Sequence, residues 1–191
     1  FTLIQAQRVL NYAKTFIARW KNRGLYGFFI EGQRGTNIRF NNGSIIECHG
    51  TTVPDAHNVR GFTADLLIVD EAALIYDKMF PSITPLTAHT GGKTVFMSTA
   101  GSIGSFFYQR WYEGQKANDL RKKIAAGIDI DMPVNKIPPV KSYTIPSTEC
   151  PGLTQEFLDR ERATLSEVRF NREYLTQWAG TADQVFSRVP T

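Results

Sequence analysis

At 191 residues, with 42% hydrophobic and 21% charged side chains, the chain has the size and make-up of one ordinary globular domain with its own core. No stretch approaches the roughly 18 uncharged apolar residues that a membrane-crossing helix needs, and no basic start followed by an apolar core suggests a secretion leader. The balance of 22 basic against 18 acidic residues, a net charge of +4, suits a nucleic-acid partner without requiring one.

Residues 5–20 place Ala6, Val9, Leu10, Ala13, Phe16, Ile17 and Trp20 at helical spacing, which predicts an amphipathic helix ended by basic residues and Gly24. The stub before it, Phe1-Thr2-Leu3-Ile4, reads as the end of a strand, so the chain is expected to begin inside a domain. Short strands are predicted over 26–31, 37–40 and 44–48, the last two joined through Asn42-Gly43. Asn-Gly between β-like runs signals a hairpin, because both turn positions take positive φ. Residues 51–58 are polar and irregular and lead to Val59-Arg60-Gly61.

Leu66-Leu67-Ile68-Val69 is an unbroken apolar run, as expected of a strand buried on both faces of a parallel sheet, and 94–98 is a second. Between them 72–80 reads as a short helix stopped by Pro81 and Pro85, and 105–115 reads as another helix. The Pro-rich stretch 127–151 is loop-like around one strand, 142–145. Helices over 154–163 and 167–178 close the chain, the first started by Thr154. Strands alternating with helices predict an α/β fold, a mainly parallel sheet flanked by helices.

The chemistry concentrates where the two apolar strands end. Asp70-Glu71 follows the first directly, at the carboxyl edge where open α/β sheets bind their ligands. In nucleotide hydrolases one such acid faces the Mg²⁺ on the phosphates and the next polarises the attacking water. Asp70 is the candidate Mg²⁺ residue and Glu71 the candidate general base; the plainer alternative makes Asp70 the cap of the next helix. Ser98-Thr99-Ala100-Gly101 ends the second strand on the same rim, where hydroxyls can sense a bound nucleotide or simply form a turn. Two basic clusters, Arg19, Lys21, Arg23 and Arg121, Lys122, Lys123, read as solvated helix faces or phosphate contacts. His49, His57 and His89 have no ligand spacing, and Cys48 and Cys150 form neither a metal-like pair nor a disulfide framework, so a reducing interior is expected.

Taken in order, these elements resemble the ATPase domain of phage terminase large subunits. The matching segments are Arg39-Phe40-Asn41-Asn42-Gly43-Ser44, Arg60-Gly61-Phe62-Thr63-Ala64-Asp65, the Asp70-Glu71 strand, and Ser98-Thr99-Ala100-Gly101 followed by Phe106, Phe107 and Tyr108. Phe170-Asn171-Arg172-Glu173-Tyr174-Leu175, then Val185-Phe186, is similar to the passage from that ATPase toward a nuclease. The resemblance implies a P-loop NTPase-like fold of the RecA/ASCE type, with residues 1–180 a partial ATPase domain and 181–191 the start of a linker. It implies ATP and Mg²⁺ as cofactors and packaging of double-stranded DNA as the activity. The implied partners are a portal protein, a small terminase subunit and further copies in a ring, in the host cell cytoplasm. It also implies that Arg60 acts as a finger on a neighbouring subunit's nucleotide, though a loop arginine bound to solvent or to Asp65 is the simpler reading.

One departure stands out: no Gly-x-x-x-x-Gly-Lys-Ser/Thr run occurs in the 191 residues. Gly91-Gly92-Lys93-Thr94 imitates its end, but Thr87 takes the place of the first glycine and the run enters a strand instead of leaving one. The fragment by itself is therefore expected to bind ATP poorly. Two other readings stay open, a helicase-like ATPase and a noncatalytic DNA-binding or assembly module with a degenerate site.

Overall fold

The structure is a computed structural model that describes residues 3–23, 30–34, 36–50 and 61–180, with side chains over 7–20, 23, 36–50 and 61–180. The chain divides into two compact units, residues 1–67 with 78–93, and residues 68–77 with 94–191.

In the first unit, helix α1 (Leu3–Asn22) buries Leu10 and leaves Val9, Tyr12, Phe16 and Trp20 exposed. The strand end expected before it is corrected: Leu3 and Ile4 form its first turn, because Leu3, Ala6 and Leu10 continue the helical spacing. Strands β1 (Ile30–Arg34), β2 (Asn37–Phe40) and β3 (Ile45–Glu47) make an antiparallel sheet in that order, with Ile38 of the middle strand fully buried. The β2–β3 turn is not the two-residue form expected. Gly43 N–H donates to Phe40 O at 3.0 Å, Phe40 N–H donates to Ser44 O at 2.9 Å, and the loop is Asn41-Asn42-Gly43. Gly43 takes φ 84° whereas Asn42 does not reach positive φ, the pattern of a type I turn completed by a left-handed glycine. Residues 24–29 and 51–60 lie outside the described residues, and with them part of the first expected strand, the irregular segment and Arg60.

The helix expected over 72–80 is also corrected. A 3₁₀ turn at Ala72–Leu74 and another at Asp77–Met79 precede a short α2 (Phe80–Ile83), and a further 3₁₀ turn spans Thr84–Thr87. Pro81 and Pro85 open these turns rather than end a helix, since the first helical positions need no N–H and favour the φ that proline fixes. Met79, Phe80, Ile83 and Leu86 are buried here and form core for the first unit.

Strands β4 (Leu66–Val69) and β5 (Lys93–Phe96) are hydrogen-bonded neighbours. Lys93 N–H donates to Asp65 O and Met97 N–H to Val69 O, both at 2.9 Å. Each step advances four residues on both strands, so the two run in the same direction. Among the described residues the parallel sheet is thus limited to this pair, because the larger described sheet is antiparallel. Burial on both faces is corrected as well: Val69 is 7% exposed, but Leu66 and Ile68 are 54% and 55% exposed. The run is apolar throughout, yet its side chains still alternate between a covered and an open face.

In the second unit, α3 (Phe106–Ala125) runs ten residues beyond the expected end of its helix at 115. Its first turn is capped twice: Ser105 Oγ accepts from Tyr108 N–H at 3.2 Å and Asp77 Oδ1 accepts from Phe106 N–H at 3.0 Å. No strand forms over 142–145, because this stretch is held by α3 side chains instead of by a neighbouring strand. Asn118 Nδ2 donates to Ser142 O at 2.6 Å and Trp111 Nε1 to Thr144 Oγ1 at 3.0 Å. Arg121 donates to Val140 O at 2.7 Å and Pro138 O at 2.5 Å, so its guanidinium belongs to this clamp and not to a solvated basic face.

Gly114 marks the closest approach, since a Cβ there would lie 2.8 Å from Ser142 N and Cβ. Alanine would gain about 1 kcal/mol of helix propensity, whereas forcing a methyl against that backbone costs about 1–3 kcal/mol. Gly114→Ala is therefore expected to lower the thermal unfolding midpoint, and a raised midpoint would mean that residue 142 yields freely.

Helix α4 (Gln155–Thr164) is capped by Thr154, whose Oγ1 accepts from Phe157 N–H at 3.2 Å, and α5 (Glu167–Tyr174) by Ser166. The helix expected to reach residue 178 stops at Tyr174. Leu175 and Gln177 N–H both donate to Asn171 O, and Thr176 takes a left-handed φ of 55°. Leu158 and Phe170 are buried beneath these helices. Among the described residues no helix is long and apolar enough to cross a membrane.

Candidate functional site

Buried Val69 anchors the end of β4 and delivers Asp70, which is exposed, and Glu71, which is half-buried. Glu71 adopts φ 51° and ψ 41°, the left-handed region. A non-glycine residue there is strained by about 1–2 kcal/mol, so neighbouring contacts must hold the turn. They do: Asp70 Oδ1 accepts Glu71 N–H at 3.0 Å, Ala72 N–H donates to Met97 O at 3.0 Å, and Leu74 N–H donates to Glu71 O at 2.9 Å. The 3₁₀ turn that follows has Glu71 at its N-cap position with no side-chain cap bond. Asp70 therefore does not cap that turn; it braces the strained peptide after it.

The turn aims the Glu71 carboxylate at the end of β5, where Ser98 Oγ donates to Glu71 Oε2 at 3.4 Å. Thr99 follows, exposed, and then Ala100, buried. Gly101 packs so closely on Ala73 that a Cβ would stand 2.9 Å from the Ala73 Cβ. The fold thus brings together Asp70, Glu71 and Ser98, with Thr99 next on the same loop, while Arg60 lies outside the described residues. This site is an exposed carboxylate beside a second carboxylate held by a hydroxyl, at the carboxyl ends of two parallel strands. Such a group can hold a hydrated cation and accept a proton from a water.

Two other sequence features settle into structural roles. Gly91-Gly92-Lys93-Thr94 leads into β5, and its two central amides are engaged within the protein: Gly92 N–H reaches Thr87 O at 3.0 Å and Thr90 Oγ1 at 3.1 Å, and Lys93 N–H reaches Asp65 O. They cannot also cradle a phosphate. His49 packs at a tilt of 49° against Phe62 with ring centroids 4.8 Å apart and sits 3.7 Å from Glu47. Among the described residues no cluster of three His, Cys, Asp or Glu could hold a metal ion unaided.

Sequence reasoning missed two contributions. Asp77 as a second cap of α3 carries no local signal, because Phe106 is distant in sequence. Trp178, expected as the last residue of a helix, instead meets the start of α3, and Ala179 after it meets the end of the Ser98–Gly101 loop.

The fold is shared with phage terminase ATPase structures. The large terminase ATPase domain of Thermus phage P74-26 superimposes with a TM-score of 0.65 at 17% identity, covering 93% of this chain and 74% of that one. The large terminase of a thermophilic bacteriophage in complex with ADP gives 0.59 at 15% identity, covering 86% of this chain and 36% of that one. Another crystal form of that thermophilic phage's protein gives 0.61 at 15% identity, over 93% of this chain and 39% of that one. No curated protein sequence matches the chain. The model of the terminase large subunit, T4likevirus-type, N-terminal family matches residues 5–189, and the chain belongs to that family.

Proposed function

We propose that this chain is the ATP-hydrolysing part of a DNA-packaging motor, coupling turnover to movement of double-stranded DNA into a capsid in the infected cell. The observation that carries the reading is the Ser98–Glu71 contact of 3.4 Å beside Asp70, at the ends of two parallel strands, in a chain of the terminase family. The thermophilic phage relative crystallised with ADP supports a nucleotide as ligand. Family membership favours a packaging motor over a helicase or a noncatalytic module. We read the fold as P-loop NTPase-like, its phosphate-binding loop not among these 191 residues.

The residues fit a magnesium nucleotide. Mg²⁺ keeps most of its waters and is commonly held by one or two carboxylates together with substrate phosphates. Asp70 offers one exposed carboxylate fixed by a backbone N–H, and the lack of a three-ligand cluster among the described residues suits that mode. Held by Asp70, Mg²⁺ would supply charge neutralisation at the phosphates. Glu71 takes the proton of the attacking water, and the Ser98 hydroxyl keeps its carboxylate turned toward the rim. Thr99, exposed on the same loop, would contribute a hydroxyl to nucleotide binding. Arg60 would reach a neighbouring copy's nucleotide in a ring and stabilise charge developing on the γ-phosphate. A portal protein and a small terminase subunit complete the partners of this reading.

The test is Asp70→Ala in the full-length protein. Nucleotide affinity should lose its dependence on Mg²⁺, and turnover should fall by about two orders of magnitude or more. Magnesium-dependent binding and hydrolysis unchanged in that variant would remove Asp70 from the site.

A further inference from the structure

We infer that Trp178 and Ala179 are positioning residues for Glu71: they fix the Ser98–Gly101 loop from its far end, so that the Ser98 hydroxyl meets the Glu71 carboxylate. The inference rests on the reading of Glu71 as the base.

The loop is pinned at both ends. At its start, Met97 N–H donates to Val69 O and Met97 O accepts from Ala72 N–H, which ties it to the turn carrying Glu71. At its finish, Ala179 N–H donates to Gly101 O at 3.1 Å and Ile103 N–H donates to Ala179 O at 3.0 Å, an isolated parallel bridge between Ser102 and Ala179. Trp178 supplies the side chain for this bridge. Its ring lies 5.4 Å from Phe107, 5.1 Å from Tyr108 edge-on and 5.2 Å from Trp111, all on the first turns of α3. Aromatic contacts of this kind are directional as well as apolar, so they set where Ala179 stands and not merely that it is buried.

The Glu71 end of the loop needs such fixing. The Ser98–Glu71 bond is long at 3.4 Å, and the carboxylate is carried by a residue in a strained backbone region. A hydrogen bond at that length is lost with a small shift of the loop. Gly101 fits only without a Cβ against Ala73, so the loop has one close-packed seat, and Ala179 bonds to the carbonyl of the residue in that seat. Displacing Trp178 releases the seat and moves Ser98 while leaving every group on the nucleotide rim chemically intact.

The experiment is a double-mutant cycle in the full-length protein with Trp178→Ala, Ser98→Ala and both, reading kcat and the KM for ATP, with thermal unfolding as a control. Trp178→Ala should lower kcat between about tenfold and a hundredfold, as expected for a misplaced catalytic group, with KM nearly unchanged. Trp178→Phe should restore most of it. In the Ser98→Ala background the tryptophan change should add little further loss, because both act on one contact. Wild-type kcat in Trp178→Ala, or losses that multiply in the double variant, would overturn the inference. If Trp178→Ala proves too unstable to purify, the cycle is run with Trp178→Leu, which keeps apolar bulk but loses the directed ring contacts with Phe107, Tyr108 and Trp111, and the same comparison decides. Normal hydrolysis by Glu71→Gln would instead fault the underlying assignment; a dead Glu71→Gln with multiplying losses faults only the role of Trp178.

Discussion

Glu71→Gln in the full-length protein is expected to abolish ATP turnover while nucleotide binding persists. The amide keeps the length and shape of the carboxylate and can still meet Ser98 Oγ, which lies 3.4 Å from Oε2, and the left-handed backbone at 71 is no harder for glutamine than for glutamate. Folding should therefore be preserved. What disappears is the proposed proton acceptor, and general-base catalysis is worth about 10²–10⁴ in rate. The measurement is steady-state ATP hydrolysis alongside nucleotide affinity. A variant that hydrolyses at the normal rate would require another base, and a variant that loses binding in parallel would make Glu71 a nucleotide ligand.

The second large effect lies in the first unit, at Gly92. A Cβ on this residue would stand 2.5 Å from Asp65 O and 2.6 Å from Ala64 O, both backbone atoms that carry the lead into β4. No flexible side chain can step aside. Gly92→Ala should destabilise the protein by about 1–3 kcal/mol or more through forced backbone shifts, only partly offset by about 0.4–1 kcal/mol from a stiffer unfolded chain. Its neighbour is a control of a different kind, because Gly91 has open space around it but sits at φ 65°. Gly91→Ala should cost only the left-handed strain, about 1–2 kcal/mol. Chemical denaturation of both variants separates the two causes: equal midpoints, or a milder loss at Gly92, would show that residues 64–65 relax.

Where a short segment carries its own instruction, the structure follows the sequence. The apolar run Leu66–Val69 with its acidic ending, the Thr154 cap and the periodicity behind α1 each act within a few residues and emerged where expected. Context overrode the rest. An apolar run does not reveal which of its faces will be covered, and Ile68 lies open beside buried Val69. Residues 142–145 have the composition of a strand, but Asn118 and Trp111 claim the hydrogen bonds that a neighbouring strand would have taken. The acidic pair and Ser98 were readable as neighbours on one rim, but not the contact between Glu71 and Ser98. Their meeting depends on the parallel register of β4 and β5 and on the left-handed turn at Glu71, neither of which leaves a mark in the local sequence.

The bridge between Ala179 and residues 101–103 also governs when the protein matures. A ribosome delivers Gly101 and Ile103 long before Ala179, with nearly all of the second unit's sequence still to come. Until that late segment emerges, the nascent loop lacks its partners, and closing so long a separation is slow compared with winding α3. Within residues 68–180 the contact beside Glu71 is thus completed late, and a growing chain halted before residue 178 should hold its earlier helices without the Ser98–Gly101 loop pinned at its far end.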